Sequence, residues 1–161
     1  MNFTVFISHS MKDANLVNTL FSYLKQSGID AVTSQSFDPT LRRSIQEQIK
    51  DLIRRADCVL AFLTHSDKNR DTVYQEIGVA RAYNMMIVPI VERGIDLPGS
   101  LKDLRYIVYD RDNPWDTAQN ISQYAQFLKT AKEQEERKRS MGMGLAALFF
   151  ALLLFTAFAE E

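Results

Sequence analysis

The stretch Cys58-Val59-Leu60-Ala61-Phe62-Leu63, followed after a polar loop by Thr72-Val73-Tyr74-Gln75-Glu76-Ile77-Gly78-Val79-Ala80, decides how this chain is to be read. The first run is apolar throughout and too short for a helix, so it reads as a buried strand. In the second, Val73, Ile77 and Ala80 recur at helical spacing. Thr72 with Gln75 three residues on reads as a capping box, which places Glu76 in the first turn, where the helix dipole favours an ionised carboxylate. Open α/β sheets bind ligands at the carboxyl edge of their strands, and Glu76 sits just past such an edge. A fixed, ionised acid at a sheet edge is suited to chemistry. Plain compensation of the helix dipole is the competing account of the same residue.

Working outward, strand and helix signals alternate. Residues 3–8 read as a first strand. From Asp13 to Ser27, Leu16, Leu20 and Leu24 with Val17 and Phe21 form a helical stripe closed by Gly28. Residues 29–33 read as a second strand. The spacing of Leu41, Ile45, Ile49, Leu52 and Ile53 predicts a helix over 41–55. After the helix predicted over 72–84, residues 87–91 form a fourth strand, whose Pro89 suggests a place away from the sheet centre or a bulge. A short fifth strand spans 106–109. A last helix starts near Trp115 or Asp116 and runs through Gln123 and Phe127 into the charged segment 132–140. Strands separated by helices imply parallel βαβ units with right-handed crossovers.

The chain has 161 residues and a net charge of -1, with 19 basic against 18 acidic side chains once Glu160 and Glu161 are set aside. Such balance gives no electrostatic footprint for nucleic acid. The single cysteine, Cys58, lies mid-strand and reads as an inert core thiol of a reducing compartment. The N-terminus has no basic n-region and enters a strand pattern at once, so no secretory signal is expected. Residues 141–159 are uncharged and dense in Leu, Phe and Ala; as a helix they would span about 28 Å, the thickness of a hydrocarbon core. Arg137, Lys138 and Arg139 precede them, which predicts a single-pass anchor with the folded domain in the cytoplasm. Glu133 with Arg137, and Glu135 with Arg139, stand at the i,i+4 spacing that would stabilise 132–140 as a solvated helical stalk. The expected organisation is a domain over 1–131, the stalk over 132–140 and the span over 141–159.

Missing motifs exclude several chemistries. The loop Ser8-His9-Ser10-Met11-Lys12-Asp13 has no glycine, so it offers neither a Walker A loop nor a dinucleotide fingerprint. There is no GxSxG elbow. Ser8 and Thr64 stand where a receiver domain would need acids. With two His and one Cys, a metal site is not expected. What remains on the carboxyl edge is Ser8, His9 and Ser10 after the first strand, Phe37 and Asp38 after the second, residues 64–71 after the third, and Glu76. His65 reads as a loop residue. Arg42 and Arg43 read either as a phosphate contact at a helix start or as solvated surface.

Here the chain resembles the Toll/interleukin-1 receptor (TIR) domain family. Val5-Phe6-Ile7-Ser8-His9-Ser10 is similar to the family's first box, and Ala56 to Thr64 resembles its third-strand segment. Glu76-Ile77, Ala80 and Ile87-Val88-Pro89-Ile90 match the spacing of enzymatic members. The resemblance covers about residues 3 to 130. It implies a flavodoxin-like parallel five-stranded sheet and, for Glu76, a role in cleaving the nicotinamide-ribose bond of NAD, with NAD as substrate rather than cofactor. It further implies substrate contacts from Ser8, His9, Ser10, Phe37, Asp38 and Tyr74. Thr72 stands where enzymatic members often carry a tryptophan, and the loop Phe37-Asp38-Pro39-Thr40 lacks the family's usual glycine. The family also contains scaffolds that associate through their TIR domains, so self-association is the expected partnership, and a non-catalytic scaffold at the membrane is the alternative function. A pore-forming role for the tail has little support, since Gly142 and Gly144 are not spaced as GxxxG.

Overall fold

In the computed structural model, which describes residues 2–66 and 71–141, strand β1 (Phe3–Ser8) pairs in parallel with β2 (Ile29–Thr33) on one side and β3 (Cys58–Leu63) on the other. Strands β4 (Met86–Glu92) and β5 (Ile107–Tyr109) extend the sheet beyond β3, giving the order β2-β1-β3-β4-β5 with every pairing parallel. The chain leaves β1 toward one edge, to β2, and then returns to the far side of β1 at β3. Adjacent strands whose connections leave in opposite directions open a crevice at their carboxyl ends, so the β1/β3 boundary is the topological switch point.

Because strand side chains alternate between faces, β3 feeds two cores. Cys58, Leu60 and Phe62 point with Val5 and Ile7 of β1 into a cluster closed by helices α1 (Ala14–Gln26) and α4 (Pro114–Ser140), through Leu16, Leu20, Leu24, Ile121 and Leu128. Val59 joins Phe6 on the other face, under Ile53 of helix α2 (Ile45–Arg55) and Ala80 of helix α3 (Asp71–Ala82). Ala61 and Leu63 meet Val73 and Ile77 of α3. With both faces covered, the central strands carry the near-continuous apolar runs seen in the sequence. The Cys58 thiol, fully buried, is pushed up to about 12 by desolvation and stays protonated, as its reading as a core thiol requires.

Element boundaries match the reading for β1, β2 and β3, and Gly28 takes φ +65° where the chain turns from α1 into β2. Two helix starts are corrected. Helix α2 begins at Ile45 rather than Leu41: the Ser44 side chain accepts from the Glu47 N–H at 3.2 Å and the Glu47 carboxylate accepts from the Ser44 N–H at 3.0 Å. That reciprocal box ends the loop, and Leu41 is left half exposed outside the helix. Arg42 and Arg43 accordingly belong to the loop; Arg43 pairs with Asp51 at 2.5 Å. Helix α3 begins at Asp71, so Thr72 is its second residue and not its cap, and Glu76 stands in the second turn. Pro89 fits its strand because β5 pairs with only Ile90 to Glu92, leaving β4 an edge on that side at the proline.

Helix α4 continues without a break through residues 132–140. Lys132 reaches Asp57 at 2.5 Å, and Asp57 in turn accepts from the Thr4 N–H at 2.7 Å, tying the helix to the start of the sheet. Of the pairs foreseen in this segment, Glu135–Arg139 forms at 2.7 Å; Lys132–Glu136 at 3.9 Å stands in place of Glu133–Arg137. Among the described residues no helix is long and apolar enough to cross a membrane; the predicted span lies outside them but for Met141.

Candidate active site

Ser8 ends β1 and Glu76 lies on α3, the helix that follows β3, so the two sides of the switch point each supply one group. The Ser8 hydroxyl donates to Glu76 Oε2 across 68 residues of chain. Glu76 is only 4 % exposed, and its other oxygen, Oε1, has no hydrogen-bond partner among the described residues. Burial pushes the carboxyl above its ordinary value of 4.5, against the opposing pull of the Ser8 and Ser34 hydroxyls. Such an acid is positioned, partly desolvated and left with one free acceptor. A buried polar atom without a partner needs a reason, and an incoming donor is one.

Glu76 lines an open groove of about 660 Å³ between α2 and α3. Ligand pockets have this order of volume. Thr72 and Gln75 lie at its head with Glu76.

The remaining expected site residues are dispersed. His9 is buried, and its Nδ1 hydrogen-bonds the Ser10 carbonyl at 2.8 Å. The Ser10 hydroxyl accepts from the Lys12 N–H and caps the short 3-10 turn Met11–Asp13. Phe37 and Asp38 line a separate small pocket of about 240 Å³ with Leu41, Arg43 and Asp51. Asp38 spends its carboxylate on Thr40, whose N–H and hydroxyl hold it below the usual carboxylate range. Tyr74 packs on the Ala61, Leu63 and Leu101 cluster, on the face of α3 turned from the groove. The structure thus brings Ser8 together with Glu76 and places Phe37, Asp38 and Tyr74 elsewhere.

Two features escape sequence reasoning. Ser34, just past β2, adds its hydroxyl to the surroundings of Glu76. Along the same sheet edge, Arg111 bonds both oxygens of Glu92 at 2.6 and 2.9 Å, the Ser66 hydroxyl at 2.8 Å, and approaches Asp13 at 3.7 Å. Thr64 donates to Asp13 at 2.6 Å, and Glu92 accepts the His65 N–H at 2.6 Å. This network fastens residues 64–66, just after β3. Nothing in the sequence announces it, because its members lie on four separate stretches of chain. His65, read as a loop residue, is held in it by its backbone.

A family model described as TIR domain matches residues 5–124. Among solved structures, the TIR domain of the Toll-related receptor TRR-2 from Hydra magnipapillata superposes with a TM-score of 0.61 at 20% identity, covering 76% of this chain and 97% of that one. The Clostridium botulinum CMP N-glycosidase BcmB gives 0.55 at 18% identity over 73% of this chain and 97% of its own. The RPS4 and RRS1 TIR domain heterodimer gives 0.55 at 15% identity, over 76% and 94%. At these identities the likeness is one of fold. No curated protein matches the chain.

Proposed function

Given that the chain belongs to the TIR domain family, we propose that it cleaves NAD at the nicotinamide-ribose bond, with Glu76 as the catalytic carboxylate. The observation that carries this reading is the buried Glu76, fixed by Ser8 through Oε2 and unpartnered at Oε1, beside an open groove at the switch point. In the reaction the bond between C1′ and the pyridinium nitrogen breaks and its electron pair neutralises the ring, so the leaving group needs no proton. The positive charge left on the ribose is oxocarbenium-like, and a nearby carboxylate stabilises it. Glu76 Oε1 is free to accept from a ribose hydroxyl while Oε2 stays on Ser8. Water then bonds to C1′ and releases its proton, giving ADP-ribose; a nucleophile within the substrate would give a cyclised product instead. That an N-glycosidase shares the fold is consistent with this bond class.

Around this site the reading places a membrane-bound, self-associating protein. The uncharged run 141–159, following the basic end of α4, anchors the domain with its site in the cytoplasm. Contacts between TIR domains gathered on that surface complete the pocket. A second reading is favoured by the same hydrogen bond: Ser8–Glu76 ties β1 to α3, as a structural link in a non-catalytic scaffold would.

Nicotinamide release from NAD at high protein density separates the two. The wild type is expected to turn over, and Glu76→Gln to lose at least about two orders of magnitude in rate, the scale for removing an electrostatic stabiliser. Undiminished turnover in the variant removes Glu76 from the chemistry, and a wild type that releases no nicotinamide leaves the scaffold.

A further inference from the structure

The groove beside Glu76 is larger than one pyridine ring and one ribose would fill, and its construction points away from the reacting centre. Its floor is Ile49 of α2 and Val79 of α3, both half-buried and both resting on the Phe6, Ile53 and Ala80 cluster beneath. From Glu76 it follows α3 to its end at Ala82 and on to Tyr83, a length of about 10 Å. The Tyr83 ring at that end is 43% exposed. Lys50 lines the α2 wall and makes no hydrogen bond or ion pair among the described residues; the nearby Glu47 is engaged by Ser44.

Gly78 is the most telling residue of the groove. It stands in the interior of α3, where glycine weakens a helix relative to any ordinary side chain. Two usual reasons for such a glycine are a left-handed backbone and a close neighbour. Neither applies: its φ is not positive, and a Cβ built there meets nothing within 4 Å. The space that a side chain would take is the groove itself.

We propose that the α2–α3 groove holds the adenosine diphosphate half of the dinucleotide, with Lys50 against the diphosphate, Tyr83 against the adenine, and Gly78 keeping the channel open. This rests on the NAD reading of Glu76, and it gives the groove's length, its one lysine and its terminal aromatic ring one occupant. In this placement the ribose sits at Glu76 and the base at the Tyr83 end, with Lys50 on the α2 wall to take the diphosphate.

The test is calorimetric titration of full-length protein with ADP-ribose, beside Tm measurement. Gly78→Leu is expected to weaken ADP-ribose binding by at least about tenfold, since the side chain occupies the ligand's volume. The same variant is expected to raise Tm by about 3 °C through helix propensity, which certifies the fold. Lys50→Glu, an exposed change, is expected to weaken binding without moving Tm. Wild-type affinity in both variants overturns the proposal, as does a wild type that does not bind ADP-ribose. The two readings fail separately. Nicotinamide release with an unaltered KM in Gly78→Leu removes the groove and keeps the cleavage; ADP-ribose binding that Gly78→Leu abolishes, in a protein that releases no nicotinamide, keeps the groove and removes the cleavage.

Discussion

Glu76 and Glu92 are both buried carboxylates near the sheet's carboxyl edge, and their surroundings move them in opposite directions. Burial raises Glu76 above 4.5, so the folded chain holds that proton more tightly than the unfolded chain. The stability it contributes is full below the ordinary value and is lost as pH rises through the raised one. Glu76→Gln keeps an acceptor for Ser8 and removes the charge. It is therefore expected to be more stable than wild type at about pH 8 and equal to it near about pH 4 in urea unfolding, while losing turnover. In the wild type, turnover should rise with pH through a value above 4.5, because the ionised form is the stabiliser. Glu92 has the other sign: the Arg111 hydrogen bonds hold it below 4.5. Its contribution is present above that value and is lost as pH falls through the depressed one. Glu92→Gln should unfold at lower urea than wild type at neutral pH, and the gap should close in acid. A gap that stays constant with pH would mean that the Arg111 pair contributes nothing through charge.

At the scale of elements, α2 depends on its first residues. Its outer face is charged and its first residue, Ile45, is half exposed, so packing holds the helix mainly from Ile49 and Ile53 onward. The Ser44–Glu47 box supplies what packing does not at the start. Ser44→Ala should cost about 1 kcal/mol in chemical denaturation, and Ser44→Gly only a few tenths, since glycine tolerates the cap conformation. Equal losses in the two variants would show that the hydroxyl does not cap. The box was legible in the sequence, as Ser at 44 and Glu at 47, but Leu41 fitted the apolar spacing and drew the predicted start four residues too early. Apolar spacing records which positions could share a face; it does not say where the chain first turns. For α3 the reverse occurred, where a Thr-x-x-Gln pattern at 72–75 looked like a cap and lies inside the helix.

For the whole molecule, tethering and activity should be linked. Confining the domains to a surface raises their effective concentration without any new contact. Full-length protein is expected to fractionate with membranes and resist carbonate extraction. Truncation before Met141 should lower nicotinamide release at dilute concentration far more than at high concentration, and clustering the truncated domain on lipid should restore it. Turnover per domain that is constant from dilute solution to a crowded surface would show that each domain is complete alone. An intact chain that stays soluble without detergent would remove the anchor.

The sequence by itself determined the local layer: which runs are strands, because side chains alternate and central strands are covered on both faces; which are helices, because apolar residues recur every three to four positions; and that an acid follows the third strand. It also carried the family, since short motifs in the right order are a property of the chain. Only the tertiary structure decided which strands adjoin. That choice put Ser8 beside Glu76, drew Arg111, Glu92, Asp13 and Thr64 into one network, sent Phe37 and Asp38 to a separate pocket, and laid Tyr74 against the core. The reason is physical: residue spacing fixes the direction of a side chain relative to its own element, whereas the partner it meets depends on crossovers whose ends lie tens of residues apart and on which face of the sheet each helix covers.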